Sequence, residues 1–218
     1  MNVLVLCGDY WHAPRIAREG LSALSGNGFT FRWIEDARDW TPANMLEHPL
    51  VILTKSDNVS PTDQAGWMTD EVQDAFLDYV SRGNGLLAIH SGTAEYADKP
   101  VLRALLGGVF RQHPEQCPVT VTPRLGHPLS VGSAPFKVRD EHYFMALDDS
   151  HADVFVTTSS EYGEQPGGWR RAEGRGRVAV LTPGHNLEVW LQPSFQRLLL
   201  NCMDWCSSTL PGHEAFHR

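Results

Sequence analysis

The segment with the clearest chemical potential is residues 85–94, GLLAIHSGTA, in which a short apolar run ends in a histidine. Residues 86–89 are typical of a buried strand, and the small polar residues Ser91 and Gly92 after His90 predict a tight turn. Ligands of open α/β sheets bind just beyond the carboxyl ends of strands. We therefore expect His90 to do chemistry, at a turn that suits a nucleophile but carries an imidazole.

A second histidine occupies the same kind of position. His185 ends residues 176–185, GRVAVLTPGH, in which another buried strand runs into a tight turn. His90 and His185 are therefore both predicted at the carboxyl edge of the sheet. The alternative is that each imidazole only hydrogen-bonds a neighbouring backbone group, which is a weaker explanation for the pair than for either histidine alone.

Four functional side chains follow one another at residues 140–143, DEHY. If this stretch is extended, Glu141 and Tyr143 share one face, and Asp140 and His142 share the other. A carboxylate beside a phenol can grip a hydroxyl-rich ligand or move protons. The alternative is a solvated edge strand without a chemical role.

The loop after the first apolar run is also rich in polar and aromatic groups. It reads GDYWH at residues 8–12. Loops after the first strand of doubly wound folds commonly line the ligand site. Asp9 and His12 are therefore candidate binding residues.

The elements that must position these side chains follow a simple pattern. Continuous apolar runs, typical of parallel strands covered on both faces, recur at residues 3–6, 50–53, 86–89, 154–156 and 178–181. Between them, helices are predicted after Pro14, from the cap-like segment 60–63 (SPTD), and from about Pro193. The alternation predicts a doubly wound α/β fold.

Residues 107–149 differ from this pattern, because short alternating segments are interrupted by prolines and glycines. We interpret them as extra hairpins or edge strands beside the sheet, and residues 161–177 as a long hairpin or loop. A length of 218 residues suits a single domain spanning 1–218.

Composition excludes several classes of function. A formal net charge of -8 argues against a nucleic-acid partner. The amino terminus lacks the features of a signal peptide, and no stretch approaches the roughly 20 apolar residues of a membrane helix, so a cytoplasmic protein is expected. The four cysteines lack metal or redox spacing and are predicted to be reduced and mostly buried. The sequence leaves the oligomeric state open, a homo-oligomer included.

Other kinds of site were weighed against these residues. Neither a Walker pattern nor a GxGxxG follows the first strand, which argues against a nucleotide-phosphate loop. A Ser-His-Asp hydrolase is also disfavoured, because Ser91 comes one residue after the turn position that its nucleophile would occupy. A zinc or manganese site is chemically allowed, although no diagnostic spacing supports it and the cofactor stays unknown. Its candidate ligands would be His90, His113, His127, Glu141 and His185.

Taken together, these motifs resemble the ThuA-like (trehalose utilisation) family. The resemblance runs in that family's order through residues 86–92 (LLAIHSG), 105–114 (LLGGVFRQHP), 126–128 (GHP), 140–143 (DEHY), 174–178 (GRGRV) and 181–185 (LTPGH). It covers about half of the chain, and the amino-terminal third fits the same plan less distinctively.

The resemblance implies a flavodoxin-like three-layer sandwich of the class I glutamine amidotransferase type, with a mostly parallel central sheet. Those amidotransferases carry a cysteine at the turn where this chain has His90. His185 lies near the place of their catalytic histidine, but Asn186 and Leu187 replace the usual continuation. Thioester chemistry on glutamine is therefore not expected.

The same resemblance implies a role in the use of trehalose or a related disaccharide, with a keto-sugar as the natural substrate. Our hypothesis is that His90, at the mouth of a helix, is kept neutral by the helix dipole and acts as base or electrophile, while Glu141 and His185 share acid–base duty. The candidate substrate-binding residues are Asp9, His12, Ser91, His113 and Tyr143. The alternatives are a non-catalytic sugar-binding or regulatory protein and a metal-dependent glycoside hydrolase.

Overall fold

The apolar runs of the sequence become strands in the computed structural model, which describes residues 1–149 and 151–208. The strands are β1 (Asn2–Cys7), β2 (Thr30–Ile34), β3 (Leu50–Thr54), β4 (Gly85–Ile89), β5 (Gly108–Gln112), β6 (Cys117–Pro123), β7 (Phe136–Asp140), β8 (Phe144–Leu147), β9 (Asp153–Ser160), β10 (Gly163–Glu173) and β11 (Gly176–Leu181). The α-helices are α1 (Pro14–Ser22), α2 (Pro42–Leu46), α3 (Asp70–Ser81), α4 (Pro100–Leu106), α5 (Leu187–Trp190) and α6 (Pro193–Ser207).

Nine of the strands form one sheet in the order β2-β1-β3-β4-β11-β10-β9-β6-β7. From β2 to β11 all neighbouring strands run parallel, and from β11 to β7 all run antiparallel. Every residue of β3 and β4 is buried, as expected for strands covered on both faces. The predicted α/β fold with parallel strands at its centre is confirmed.

Helices cover both faces of this sheet and complete a three-layer sandwich. On one face Leu21 of α1 and Phe195 of α6 pack against apolar side chains of β1, β3 and β4. On the other face Phe76 of α3 and Leu102 of α4 pack against the opposite side chains of the same strands. Alternate residues of each parallel strand thus enter separate apolar cores, which fixes the direction of the strand ends.

The predicted extra hairpins are present within residues 107–149. Strands β6 and β7 form a hairpin that joins the edge of the large sheet through β9. Strands β5 and β8 pair with each other in a separate two-stranded sheet. The segment 161–177 is also a hairpin, because β10 turns back into β11.

Two sequence predictions were wrong. The run 154–156 lies in β9, which is antiparallel to both of its neighbours, β10 and β6, because β9 turns directly into β10 as a hairpin. Residues 60–63 form an isolated bridge between Ser60 and Asp63 and do not begin a helix. The helix α3 begins later, after Thr69, whose hydroxyl accepts a hydrogen bond from the Val72 N–H. The carboxylate of Asp57 accepts hydrogen bonds from the backbone of residues 67 and 68, which holds the intervening segment as a loop.

All four cysteines are buried free thiols, as predicted from their spacing. Burial raises the pKa of Cys7 and of Cys206 to about 12, so these thiols stay protonated. None of the helices in the described residues is long and apolar enough to cross a membrane.

We predict that Gly92→Ala lowers the free energy of unfolding by about 2–3 kcal/mol, because a Cβ at this turn has no room. It would lie 2.0 Å from the carbonyl oxygen of Leu53 in the neighbouring strand. The matched control is Gly26→Ala, where a Cβ meets nothing within 4 Å and the change should stay within about 0.5 kcal/mol. Urea denaturation of both variants measures the difference, and equal stability would contradict the prediction.

Candidate functional site

The imidazole of His90 is positioned by a left-handed turn at the end of β4. His90 has a φ of 48°, which is uncommon for any residue other than glycine. It opens a short helical turn that is closed by the Thr93 hydroxyl, which donates a 2.8 Å hydrogen bond to the His90 carbonyl. Strained backbone of this kind is concentrated at functional sites, where the surrounding structure fixes it.

Three imidazoles and one carboxylate meet beside this turn. One ligand atom from each of His12, His90, Glu141 and His185 can be chosen so that all four lie within 4.8 Å of one another. Glu141 Oε2 lies 3.4 Å from His90 Nε2, and Glu141 Oε1 lies 3.1 Å from His185 Nδ1. Groups of these types in this number can transfer protons or coordinate a divalent transition metal.

Asp9 positions His12 from behind. Its carboxylate accepts a 2.8 Å hydrogen bond from His12 Nδ1 and others from the backbone N–H groups of Trp11, His12 and Ser56. Burial alone would raise the pKa of Asp9, but the hydrogen bond from His12 and those from the backbone outweigh it and lower the pKa to about 2. The ionised carboxylate therefore fixes both the loop and the ring of His12.

Asp140 positions the loop of His185 in a comparable way. Its carboxylate accepts hydrogen bonds from the backbone N–H groups of Gly184 at 2.9 Å and His185 at 3.0 Å. Burial raises the pKa of Asp140 to about 7, although these backbone N–H groups oppose the shift. Since Glu141 follows Asp140 in the chain, the same contact brings Glu141 to His185.

The hydrogen bonds of His90 define its tautomer. His90 Nδ1 lies 2.8 Å from the carbonyl oxygen of Thr182, which can only accept, so Nδ1 donates and Nε2 carries a lone pair. Burial lowers the pKa of His90 to about 4 against the opposing effect of Glu141, so this ring is neutral at physiological pH. The prediction that His90 is neutral agrees with this, but burial is the cause rather than a helix dipole.

Glu141 and His185 shift each other's protonation. Burial would raise the pKa of Glu141, but the neighbouring imidazoles of His185 and His90 outweigh burial and hold the pKa well below its usual range. Burial would lower the pKa of His185, but the neighbouring Glu141 carboxylate raises it overall. The carboxylate is thus ionised in the cluster.

A cavity of about 320 Å³ opens directly above the cluster. Its walls are aromatic and polar: Trp11, His12, Ser56, Ala94, Glu95, Phe110, His113, Glu141, Tyr143 and His185. Tyr143 lies between the ring of His90, at a centroid distance of 4.0 Å, and that of Phe110, at 4.2 Å. The structure therefore brings the predicted residues His12, His113, Glu141, Tyr143 and His185 to one cavity.

The predicted residues that do not line this cavity are Asp9, His90, Ser91 and His127. Asp9 is 1% exposed, and its carboxylate is occupied by the loop rather than facing the cavity. Ser91 is buried on a separate recess of about 10 Å³ that His90 also lines. His127, a candidate metal ligand, instead contacts Asp153 at 3.3 Å and accepts a hydrogen bond from the Leu129 N–H.

Five residues of the cavity wall were not among the predicted site residues: Trp11, Ser56, Ala94, Glu95 and Phe110. Glu95 has a φ of 63°, and its carboxylate accepts a 3.0 Å hydrogen bond from the Asn58 side chain. Phe110 reaches the cavity from β5. The signal for Glu95 was its place five residues after His90. Nothing local marks Phe110, because its contact with Tyr143 depends on the pairing of β5 with β8.

The family model for ThuA, described as trehalose utilisation, matches residues 2–206. The chain belongs to the ThuA family. The match extends the resemblance seen in residues 85–185 over nearly the whole sequence, the amino-terminal third included. No curated protein matches the chain.

Solved structures share the fold of this ThuA-family protein at low sequence identity. ThuA-like proteins from Bacteroides uniformis and Parabacteroides merdae are 20% and 17% identical, with a TM-score of 0.75 for each. The superpositions cover 94% and 95% of this chain, and 91% and 90% of those chains. A β-galactosidase from Rahnella sp. R3 is 16% identical with a TM-score of 0.66, over 92% of this chain but 31% of the enzyme.

We predict that Asp140→Asn lowers the free energy of unfolding by about 2–3 kcal/mol, because the amide opposes buried N–H donors with a donor of its own. The control is Asp148→Asn, which changes a surface carboxylate 2.6 Å from Arg103 and should cost less than about 1 kcal/mol. Chemical denaturation of both variants provides the comparison. A cost for Asp140→Asn no larger than that of the control would contradict the role of Asp140 as an anchor.

Proposed function

We propose that the protein is an enzyme of carbohydrate utilisation that transfers protons at a sugar carrying a carbonyl group. The observation that carries this proposal is the contact of Glu141 with His90 and His185 at the base of the cavity. Imidazole and carboxylate groups within hydrogen-bonding reach of each other and of a bound ligand are the usual means of general acid–base catalysis.

The walls of the cavity support a sugar as the ligand. A volume of about 320 Å³ lies at the lower end of small-molecule sites, which fits a compact ligand of one or two rings. Trp11 and Phe110 offer aromatic surface to the apolar side of a sugar ring, while Glu95 and His113 offer hydrogen-bonding groups to its hydroxyls. The family description, trehalose utilisation, supports the same class of ligand.

The roles of the residues follow from their access to the cavity. Glu141 and His185 line it and can exchange protons with a ligand. His90 is 1% exposed and acts from beneath, through its contact with Glu141 and its stacking on Tyr143. His113, whose Nε2 lies 3.6 Å from Glu141, is the more exposed imidazole and binds hydroxyls at the mouth.

A second candidate function is metal-dependent hydrolysis of a glycosidic bond. The specific observation in its favour is that His12, which the proton-transfer role does not require, converges on the same point as the other three groups. A metal at that point would activate water beside the sugar.

We predict that the wild-type protein exchanges hydrogen for deuterium next to the carbonyl of a keto derivative of trehalose, or converts the compound, when followed by NMR in D₂O. Glu141→Gln and His185→Gln should each lower kcat/KM at least ~100-fold, the usual contribution of one acid–base group. The control is His151→Gln, a surface imidazole 92% exposed, which should leave the rate unchanged.

Two results would contradict the proposal. One is turnover in Glu141→Gln equal to that of the wild type. The other is binding of the sugar, measured by calorimetry, without exchange or product, which would favour a sugar-binding or regulatory role. Release of free monosaccharide without exchange beside the carbonyl would favour the hydrolase.

A further inference from the structure

We infer that His12, His90, Glu141 and His185 form a binding site for one divalent transition metal ion of the zinc or manganese type. Binding of the ion stands on the geometry of these four side chains alone. Its part in catalysis rests on the proposed function.

The first observation is that lone pairs converge without a donor. His90 Nδ1 donates a hydrogen bond to the Thr182 carbonyl, and His12 Nδ1 donates one to the Asp9 carboxylate. In both rings the other nitrogen, Nε2, therefore carries a lone pair. Both Nε2 atoms are buried and lack a hydrogen-bond partner among the described residues. His90 Nε2 lies 3.4 Å from the Glu141 carboxylate, which is itself an acceptor, and a ligand atom of His12 lies within 4.8 Å of the same carboxylate. Acceptors gathered in a buried space are stabilised by a cation.

The second observation is the support behind the rings. Histidines that bind metals almost always donate their other N–H to a carboxylate or a backbone carbonyl, which fixes the tautomer and the ring direction. His12 has this arrangement with Asp9 at 2.8 Å, and His90 has it with Thr182 at 2.8 Å. His185 is fixed through its backbone, whose N–H donates to Asp140.

The spacing of the ligand atoms fits an ion. Metal–ligand bonds of about 2.0–2.1 Å place neighbouring ligands of a tetrahedral site about 3.4 Å apart. The Glu141 oxygens lie 3.4 Å from His90 Nε2 and 3.1 Å from His185 Nδ1, and no pair in the group exceeds 4.8 Å. The longer separations, up to 4.8 Å, would have to shorten toward this spacing around an ion.

The types of the ligands select the class of ion. Three imidazoles and one carboxylate suit zinc, manganese, iron, cobalt or nickel, whereas magnesium and calcium prefer an all-oxygen set. One carboxylate against a double positive charge leaves the centre cationic, which suits a ligand carrying a carbonyl or hydroxyl oxygen.

The ion would be accessible to substrate. Three of its ligands, His12, Glu141 and His185, also line the 320 Å³ cavity, so the site faces the proposed sugar. With the ion bound, Glu141 and His185 would hold it, so the proton-transfer roles given to them above apply to the protein without the ion. The ion would supply the polarisation of the carbonyl. His113 is then the cavity imidazole outside the four ligands that can move a proton.

The test uses the full-length protein, stripped with a chelator and titrated by calorimetry with Zn²⁺ alone and with Mn²⁺ alone. We expect one equivalent of at least one ion to bind with a dissociation constant in the micromolar range or below. His12→Gln and Glu141→Gln should each weaken binding at least tenfold, and circular dichroism checks that they fold. The matched control is His127→Gln, which alters a histidine beside a carboxylate remote from the cluster and should bind as the wild type does.

Substituting Co²⁺ adds a readout that does not depend on activity. A tetrahedral or five-coordinate cobalt centre should give visible absorption bands that are lost in His12→Gln. Absence of stoichiometric binding of all three ions to the folded wild type would overturn the inference, as would binding that both cluster variants leave unchanged. If turnover of the keto-sugar persists after chelation, the metal site can stand but its part in catalysis is contradicted. If the metal binds but no turnover is found, the metal site is supported and the proposed function is contradicted.

Discussion

The candidate site depends on one buried contact, the Asp140 carboxylate with the backbone N–H groups of residues 184–186. Asp140 ends β7, the last strand at the antiparallel edge of the sheet, four places along the order from β11. The contact nevertheless joins the end of β7 to the loop after β11. It thereby sets Glu141 against His185, although the strands that carry them are not neighbours.

A second buried carboxylate, that of Asp9, positions another histidine of the cluster. Asp9 ties the loop after β1 to the backbone of Ser56 after β3 and holds the ring of His12. Both carboxylates accept hydrogen bonds from donors that the fold holds in place. The balance of burial and hydrogen bonding differs, however, since the pKa of Asp9 falls to about 2 and that of Asp140 rises to about 7. Two carboxylates outside the cluster, Asp9 and Asp140, thus hold His12 and His185 in place.

The sequence allowed a good prediction of what is local and a poor one of what is not. Apolar runs and turn residues placed β4, β11 and the two histidines at one sheet edge, because burial and backbone chemistry act over a few residues. That Glu141 joins these two histidines could be proposed from the sequence. Its position could not be predicted, because it depends on the Asp140 contact and on the order of the strands. Asp9 and Ser91 were expected to contact a ligand; both are buried, and the Asp9 carboxylate accepts hydrogen bonds from His12 and from the Ser56 backbone. Segment 60–63 has the composition of a helix start, but Asp57 satisfies the backbone that a helix would have used.

The shared fold says less about the reaction than the turn at His90 does. Structures as different as ThuA-like proteins and part of a β-galactosidase superpose on this chain at 20% identity or less, so the scaffold alone does not define a chemistry. The left-handed turn directs a side chain out of β4. That side chain is an imidazole, which has no thiol with which to form a thioester, and its Nδ1 donates a hydrogen bond to a backbone carbonyl. What such a ring offers at that position is a lone pair. Two further imidazoles and a carboxylate lie beside it. Groups of these types suit proton transfer or metal binding rather than covalent catalysis.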